Sequence, residues 1–213
     1  ILAKLMQQLQ KISDVPFEIV YLSMDPGYNE KNRKRIEDNA KLLNIPIQFF
    51  NSDIFEVTAR TEKNPCYLCA RMRRGFLYNK AKELGCNKIA LGHHKSDVIE
   101  TTLMSILYSG QIQGMLPRIK STNFEGMELI RPLYCILEKD ILRWVRANGL
   151  EFIACACRLT EATENEDGGM VSARKETKKL IEKLSKEIPE LEDHIFQSTH
   201  NVQLDTMVEF KYN

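Results

Sequence analysis

The chain has 213 residues, of which 43% are hydrophobic and 28% charged, a composition typical of a globular protein with one sizeable core. No apolar run approaches the roughly 20 residues that a membrane-spanning helix needs, and the first residues lack the order of a signal peptide. We therefore expect no membrane partner and a cytoplasmic location. The formal net charge of +1 excludes a strongly basic protein, so nucleic-acid binding would have to depend on local basic patches.

The N-terminal quarter predicts two helices and two strands in alternation. Apolar side chains recur at helical spacing over residues 1–12. Residues 17–24 are predicted to form a buried strand, and a charged helix is predicted to follow. Pro46 then precedes a short predicted strand over residues 47–50. Because the chain opens inside a helical pattern and with Ile instead of Met, we expect a further segment to precede residue 1.

The rest of the chain continues this alternation. A helix from near Cys69 to Gly85, with Leu77, Ala81 and Leu84 as its apolar stripe, leads into a strand over residues 88–92. Further elements are predicted as helices over 97–107, 141–147 and 171–187, strands at 129–133 and 152–153, and a last helix near the C-terminus. Such alternation indicates an α/β fold with a mainly parallel sheet.

Ligands of parallel sheets bind beyond the carboxyl ends of the strands. The turns after Met24, Gly92 and Ile153 are therefore expected to share one edge of the sheet. All three turns carry polar or sulfur chemistry, which is what a functional site requires.

Two closely spaced cysteine pairs are candidates for metal or cluster ligands. Cys66 and Cys69 form a CxxC motif, and Cys155 and Cys157 form a CxC motif. In a cytosolic protein such pairs indicate metal or redox chemistry more than structural disulfides. Inert buried cysteines, a four-cysteine zinc site and an iron–sulfur cluster all remain open on spacing alone. Two further cysteines, at positions 86 and 135, have no partner at ligand spacing.

A second motif follows the strand that ends at Gly92. Two histidines, His93 and His94, occupy the turn, and adjacent residues seldom bind one metal ion. Asp97, with Glu100 three residues later, has the form of a capping box in which Asp97 is the N-cap. Asp97 can therefore be a helix cap, or it can belong to a ligand site at the carboxyl edge of the sheet.

A basic run follows the CxxC motif. Arg71 and Arg74 are three residues apart and share a helix face, whereas Arg73 points about 100° away from Arg74. The shared face can meet RNA phosphates, with a solvated helix surface as the alternative.

Taken together, the segments PCxxCxxxRR, LGHHxxDxxET, Arg131-Pro132-Leu133 and the late cysteine pair resemble the tRNA 2-thiocytidine synthetases of the PP-loop ATP pyrophosphatase superfamily. The resemblance implies a Rossmann-like fold of the adenine nucleotide alpha hydrolase type: a mainly parallel sheet with flanking helices and a small helical C-terminal extension. It implies a PP-loop domain over residues 1–158 and an extension over 159–213. The family's phosphate loop, SGGKDS, does not occur in this chain.

The resemblance also implies the cofactors and the residues that hold them. A 4Fe–4S cluster would be held by Cys66, Cys69 and Cys155, with Cys157 as the alternative third ligand. ATP and Mg²⁺ would be bound. The nucleotide-contacting residues would be Met24, Gly92, His93, Asp97 and Arg131, with Asp97 and the three cysteines as the catalytic residues.

The activity that follows from the resemblance is ATP-dependent thiolation of tRNA. The base carbonyl, at C2 of cytidine 32, would be adenylated, and sulfur delivered through the cluster would replace the oxygen. The alternatives are a 2-thiouridine-forming enzyme and a non-catalytic RNA-binding module held by zinc or a cluster. The expected partners are tRNA and a sulfur donor, either cysteine desulfurase-derived sulfur or free sulfide. A homodimer remains open.

Overall fold

The computed structural model describes residues 1–59, 65–152 and 169–209. Among these residues the elements follow the predicted alternation. In chain order they are α1 (Leu2–Ile12), β1 (Tyr21–Asp25), α2 (Glu30–Leu42), β2 (Ile47–Asn51), α3 (Ile54–Ala59), α4 (Pro65–Glu83), β3 (Lys88–Ala90), α5 (Lys95–Ser109), β4 (Arg118–Lys120), β5 (Glu128–Ile130), α6 (Glu138–Ala147), α7 (Gly169–Glu187), α8 (Leu191–Ser198) and a 3-10 turn (Leu204–Thr206). Within the described residues, no helix combines the length and apolar character needed to cross a bilayer.

The strands form two ladders in the described part of the chain. β1 pairs in parallel with β2, with Met24 opposite Phe50. β5 lies between β3, which is parallel to it, and β4, which is antiparallel. A mainly parallel sheet was predicted, whereas the antiparallel strand β4 was not. Its three residues, Arg-Ile-Lys, are all exposed and too few to show an alternating pattern.

The apolar core between α4 and the β3–β5 ladder shows which face of α4 is buried. Tyr78 and Ala81 are buried together with Met127 and Leu129. The Tyr78 ring stacks on Phe124 with ring centroids 4.8 Å apart and planes inclined by 8°. The predicted stripe is thus only partly correct, since Ala81 is buried but Leu84 is 39% exposed.

Local sequence explains where several helices begin and end. The side chain of Asn29 caps α2 by accepting a hydrogen bond of 2.8 Å from the Asn32 N–H. α5 ends at Gly110, whose φ of 61° is the left-handed conformation that glycine adopts without a steric penalty.

The chain divides into two compact units. The first comprises Ile1–Gly92, Arg118–Pro132 and Lys139–Asp167, and the second comprises His93–Pro117, Leu133–Glu138 and Gly168–Asn213. Both ladders belong to the first unit, and α5, α7 and α8 belong to the second.

Candidate nucleotide site and cysteine site

One part of the predicted site is the carboxyl edge of the β3–β5 pair in the first unit. Ala90 lies opposite Ile130, and the Leu91 N–H donates a hydrogen bond of 3.0 Å to the Ile130 carbonyl. Because these parallel strands end in register, Gly92 and Arg131 leave the sheet at the same edge. The fold thus brings together two of the predicted nucleotide-contacting residues.

Gly92 has open space beside its backbone. A Cβ built on this residue would meet no atom within 4 Å, and its φ lies outside the left-handed region. Nothing in the described fold therefore requires a glycine at this position. A glycine that the fold does not need is typical of a place where a ligand approaches the backbone closely.

Met24 lies on a different ladder from Gly92. It is buried in β1, one residue before the strand ends, and its ladder partner is Phe50 of β2. Among the described residues, the β1–β2 ladder shares no strand with the β3–β5–β4 sheet. The expectation that the turns after Met24 and Gly92 share one edge therefore stays a prediction. The third expected turn, after Ile153, lies outside the described residues.

The turn after β1 is organised by Asp25, which is 7% exposed. Its Oδ1 accepts hydrogen bonds from the N–H groups of Gly27 (2.9 Å) and Tyr28 (2.8 Å), and its Oδ2 accepts one from Arg33 (2.9 Å). Burial opposes the charged carboxylate, but these three donors outweigh it and hold the pKa of Asp25 below its ordinary value. Arg33 in turn lies over the Phe49 ring, 4.5 Å from its centroid.

In the second unit, the predicted capping box is shifted by one turn. His94 is the N-cap of α5, and its Nδ1 accepts a hydrogen bond of 3.4 Å from the Asp97 N–H. The Asp97 Oδ2 accepts one of 2.9 Å from the His94 N–H. Asp97 is therefore at position N3 of the box and not the N-cap, because the helix already begins at Lys95. Glu100 is outside the box.

Helix α7 holds the first two turns of α5 through one arginine. The Arg174 Nε donates a hydrogen bond of 2.9 Å to Glu100 Oε2, and its Nη2 lies 3.4 Å from Asp97 Oδ1. The Glu100 side chain is 10% exposed, so this ion pair compensates a largely buried carboxylate. Both carboxylate oxygens of Asp97 thus have partners inside the second unit.

Helix α8 contacts the same end of α5. The Lys95 side chain pairs with Asp193 and lies over the Phe196 ring, 4.8 Å from its centroid. The Ser96 Oγ accepts a hydrogen bond of 3.1 Å from the Glu138 N–H, at the start of α6. The polar residues at positions 95, 96, 97 and 100 are therefore all used in packing α5 into its unit. His93, at the start of this unit, is half-buried.

The CxxC motif lies in the first turns of α4, which begins at Pro65 and not near Cys69. Proline is favoured at the first position of a helix, where its missing N–H is not needed. Cys66 and Cys69 are one helical turn apart along the backbone, and Cys69 is half-buried. The Cys66 side chain and the whole of Cys155 and Cys157 lie outside the described residues.

The remaining two cysteines lie outside the helices and strands. Cys86 lies just after α4 and packs against the core, and Cys135 is exposed in a loop. In the parts of the chain that the structure describes, no three His, Cys, Asp or Glu side chains are grouped as metal ligands. Most of the predicted ligand set lies outside the described residues.

The arginines after the CxxC motif divide between two faces of α4, as their spacing predicted. Arg71 and Arg74 are exposed. Arg73 is turned inward, with its guanidinium 5.7 Å from the centroid of the Phe55 ring. The described structure leaves the Arg71–Arg74 face open to a partner.

The contacts that Arg174 and Arg33 make were not predicted from the sequence. Arg174 contacts α5 from a position 77 residues away in sequence, so no local spacing could show the contact. Arg33 is eight residues from Asp25, and the Asp-Pro-Gly turn was a signal that an organised strand end was present.

The parallel strand pairs and the flanking helices define an α/β protein of the Rossmann-like class. A family model described as the PP-loop domain matches residues 2–158. The chain belongs to the PP-loop family, which confirms the family and the fold that the sequence motifs predicted.

Curated relatives match nearly the whole chain. The tRNA-cytidine(32) 2-sulfurtransferase of Anaeromyxobacter dehalogenans (strain 2CP-C) is 33% identical over 204 residues, covering 94% of this chain and 67% of that protein. The protein of the same name from Syntrophotalea carbinolica is 31% identical over 205 residues, covering 95% of this chain and 76% of that protein.

A solved structure shares the fold. The U34-tRNA thiolase NcsA from Methanococcus maripaludis, determined with its [4Fe-4S] cluster, superimposes with a TM-score of 0.65 at 18% identity. The match covers 92% of this chain, which spans 65% of that chain's length. At this identity the likeness shows the fold alone.

Proposed function

We propose that the protein is an ATP-dependent tRNA sulfurtransferase that converts cytidine 32 to 2-thiocytidine. The observation that carries this proposal is the likeness, over 94% of the chain, to proteins named tRNA-cytidine(32) 2-sulfurtransferase. The C2 oxygen of the base attacks the α-phosphorus of ATP, and pyrophosphate leaves. Sulfide then adds to C2, and AMP leaves with the former base oxygen.

For the nucleotide, we propose contacts from Met24, Gly92, His93, Asp97 and Arg131. The open space beside Gly92 supports this proposal, because it adjoins the edge where Arg131 leaves the sheet. A guanidinium at that edge can hold phosphate oxygens, and the bare backbone of Gly92 allows their close approach. Asp97 would act with Mg²⁺ or would keep the turn after Gly92 in shape.

Gly92→Ala tests the nucleotide site without disturbing the fold. Since a Cβ would meet no atom within 4 Å, we expect the melting temperature to stay unchanged while ATP binding weakens at least tenfold. Gly75→Ala on α4 is the matched control, since its Cβ also meets open space. Native ATP affinity in Gly92→Ala would remove this strand end from the nucleotide site. In Asp97→Asn an oxygen can still accept the His94 N–H, so near-normal thiolation in that variant would leave Asp97 with a structural role only.

For the cluster, we propose Cys66, Cys69 and Cys155 as ligands, with Cys157 as the alternative third ligand. The described part of the chain supports this, because the first two cysteines lie one turn apart on a helix and thiolates are the ligands of iron–sulfur clusters. When bound, a cluster with three protein ligands has one iron open to sulfide. Arg73, one turn beyond Cys69, adds a positive charge that favours thiolates at this end of α4.

Single Cys→Ser variants, purified without oxygen and assayed for iron and acid-labile sulfide, test the ligand set. We expect loss of iron at positions 66, 69 and 155 and retention at positions 86 and 135. Loss at 157 with retention at 155 would make Cys157 the third ligand. A colourless native protein with one zinc ion would instead support the non-catalytic module.

For the partners, we propose tRNA and a sulfur donor that supplies sulfide or cysteine desulfurase-derived sulfur. A homodimer is a further proposal, as is the division into a PP-loop domain over 1–158 and an extension over 159–213.

The exposed pair Arg71 and Arg74 is proposed to contact RNA phosphates. Replacing both by Ala should lower the salt dependence of tRNA binding by about one to two units of slope. Replacement of the exposed Lys82 on the same helix is the control, and an unchanged slope in the double variant would remove this face from the RNA surface.

Nucleoside mass spectrometry of tRNA tests the function itself. In a strain that lacks the gene, we expect 2-thiocytidine to disappear and 2-thiouridine to remain. Loss of 2-thiouridine instead would identify the other branch of the family. Unchanged levels of both nucleosides would refute the proposed function.

A further inference from the structure

Helix α7 carries an exposed stripe of four lysines. The stripe consists of Lys175, Lys179, Lys183 and Lys186, and all four residues are exposed. At 100° per residue they lie within an arc of about 80°, and they span about 16 Å along the helix axis. None of them takes part in the ion pairs found among the described residues. We call this surface the α7 lysine stripe.

The rest of α7 is fixed to its own unit on the opposite side. Thr177 and Ile181 are 1% and 8% exposed and lie about 180° from the centre of the stripe. Lys178, on the flank, pairs with Glu138, and this hydrogen bond raises the pKa of Lys178 above its ordinary value against the opposing effect of burial. Arg174 pairs with Glu100. The stripe is therefore presented outward from a helix whose other cations are already neutralised by internal partners.

The charge of α7 contrasts with the charge of the chain. The helix has six Lys and Arg residues against three Glu, while the whole chain has a formal net charge of only +1. A net charge this small gives the chain little electrostatic attraction to a polyanion. Any such attraction has to come from a local excess of unpaired cations. Lysine is a point charge that binds phosphate without reading base edges, which suits contacts to a nucleic-acid backbone.

We infer that the α7 lysine stripe is a docking surface for the sugar–phosphate backbone of tRNA. This inference rests on the proposed function, because tRNA is the polyanion which that function supplies. The stripe begins one residue after Arg174, which contacts Asp97. RNA lying along the stripe is thereby held at a fixed position relative to the first turn of α5, independently of base sequence.

The test replaces the four lysines by Gln in the full-length protein. Gln has a helix propensity similar to that of Lys and carries no charge, so the helix should be preserved, which circular dichroism checks. Binding of a fluorescently labelled tRNA is titrated at several salt concentrations between 50 and 200 mM. We expect the slope of log affinity against log salt concentration to become less steep by about three units. Between 50 and 200 mM salt, the fold loss of affinity would then be about 60 times smaller than in the native protein.

The control removes the same charge elsewhere. Lys11, Lys31, Lys34 and Lys41 are exposed on α1 and at α2, and their replacement by Gln should leave the slope within about one unit of the native value. Glu182→Gln gives a test in the opposite direction, because Glu182 is exposed and lies beside the stripe, about 20° outside its arc. We expect tRNA binding to tighten about two- to fivefold at low salt in that variant.

An unchanged slope in the stripe variant, or an equal loss in the control, would overturn the inference. Either result in a protein that still thiolates tRNA would leave the proposed function intact. Absence of tRNA binding and thiolation in the native protein would instead refute the proposed function itself.

Discussion

Removal of Arg174 should loosen the first turns of α5. Its Nε lies 2.9 Å from Glu100 Oε2, and the Glu100 side chain is 10% exposed, whereas the Arg174 side chain is 49% exposed. In Arg174→Ala the Glu100 carboxylate stays largely buried and loses its hydrogen-bonded cation. Asp97 also loses the guanidinium at 3.4 Å, although its hydrogen bond from the His94 N–H is retained.

The magnitude follows from the unequal exposure of the two partners. Breaking a fully buried ion pair costs about 3–5 kcal/mol, and an exposed pair is worth about 0.2–1 kcal/mol. With one partner buried and the other half-exposed, we expect Arg174→Ala to lower the free energy of unfolding by about 1–2 kcal/mol. For a chain of this size that corresponds to a fall of about 2–8 °C in melting temperature.

A double-mutant cycle with Glu100→Gln isolates the pair from other effects of the substitutions. We expect a coupling free energy of about 1 kcal/mol, together with faster amide hydrogen exchange in the first two turns of α5. Lys175→Ala, at the exposed neighbouring position, is the control and should change stability by less than about 0.5 kcal/mol. A coupling below about 0.3 kcal/mol would show that the contact does not stabilise α5.

Two further predictions concern the turn after β1 and the packing of the second unit. The depressed pKa of Asp25 contributes stability that is fully present above the unfolded-state pKa of about 3.8 and is lost as the pH falls through the lower folded value. At pH values below about 4, the urea midpoint of the native protein should therefore decrease more steeply than that of Asp25→Asn. Parallel curves of urea midpoint against pH would contradict this assignment. A Cβ at Gly114 would lie 3.2 Å from Thr199 Cγ2, so Gly114→Ala should lower the free energy of unfolding by about 1 kcal/mol. Adding Thr199→Ser, which removes that methyl group and keeps the hydroxyl, should restore most of the loss, and no restoration would show that the two residues do not collide.

The sequence predicted the alternation of elements because each element has a local signal. The strand at β1 and the helix at α4 are marked by apolar runs and by turn residues at their ends. Element boundaries were less accurate where a cap is unusual. α5 begins at Lys95, two residues before the predicted start, because His94 takes the N-cap position that Asp97 was expected to hold. Histidine is not among the preferred N-caps, so this boundary had no sequence signal.

The long-range contacts could not be predicted from the sequence. The turn at Gly92 was predicted to follow a strand, because the apolar run over residues 88–91 and the glycine are local signals. The pairing of Arg174 with Glu100 depends instead on how a C-terminal helix packs, and no periodicity encodes the position of one helix on another. The division of the described strands into two ladders has the same origin, because sheet order is a tertiary property.

The contacts of the LGHHxxDxxET segment separate packing from ligand chemistry. Lys95 pairs with Asp193, and Asp97 completes the cap, so these positions have structural partners within their own unit. Their side chains would be needed to keep α5 in place whether or not a nucleotide binds. Gly92 differs, since the described fold neither fills the space beside it nor requires its backbone freedom. Of these three positions, Gly92 is the one whose residue type the fold does not explain. A substitution at Gly92 that weakens ATP binding without changing stability therefore reports on nucleotide binding alone. A substitution at Lys95 or Asp97 also removes a contact that holds α5, so by itself it cannot separate the two effects.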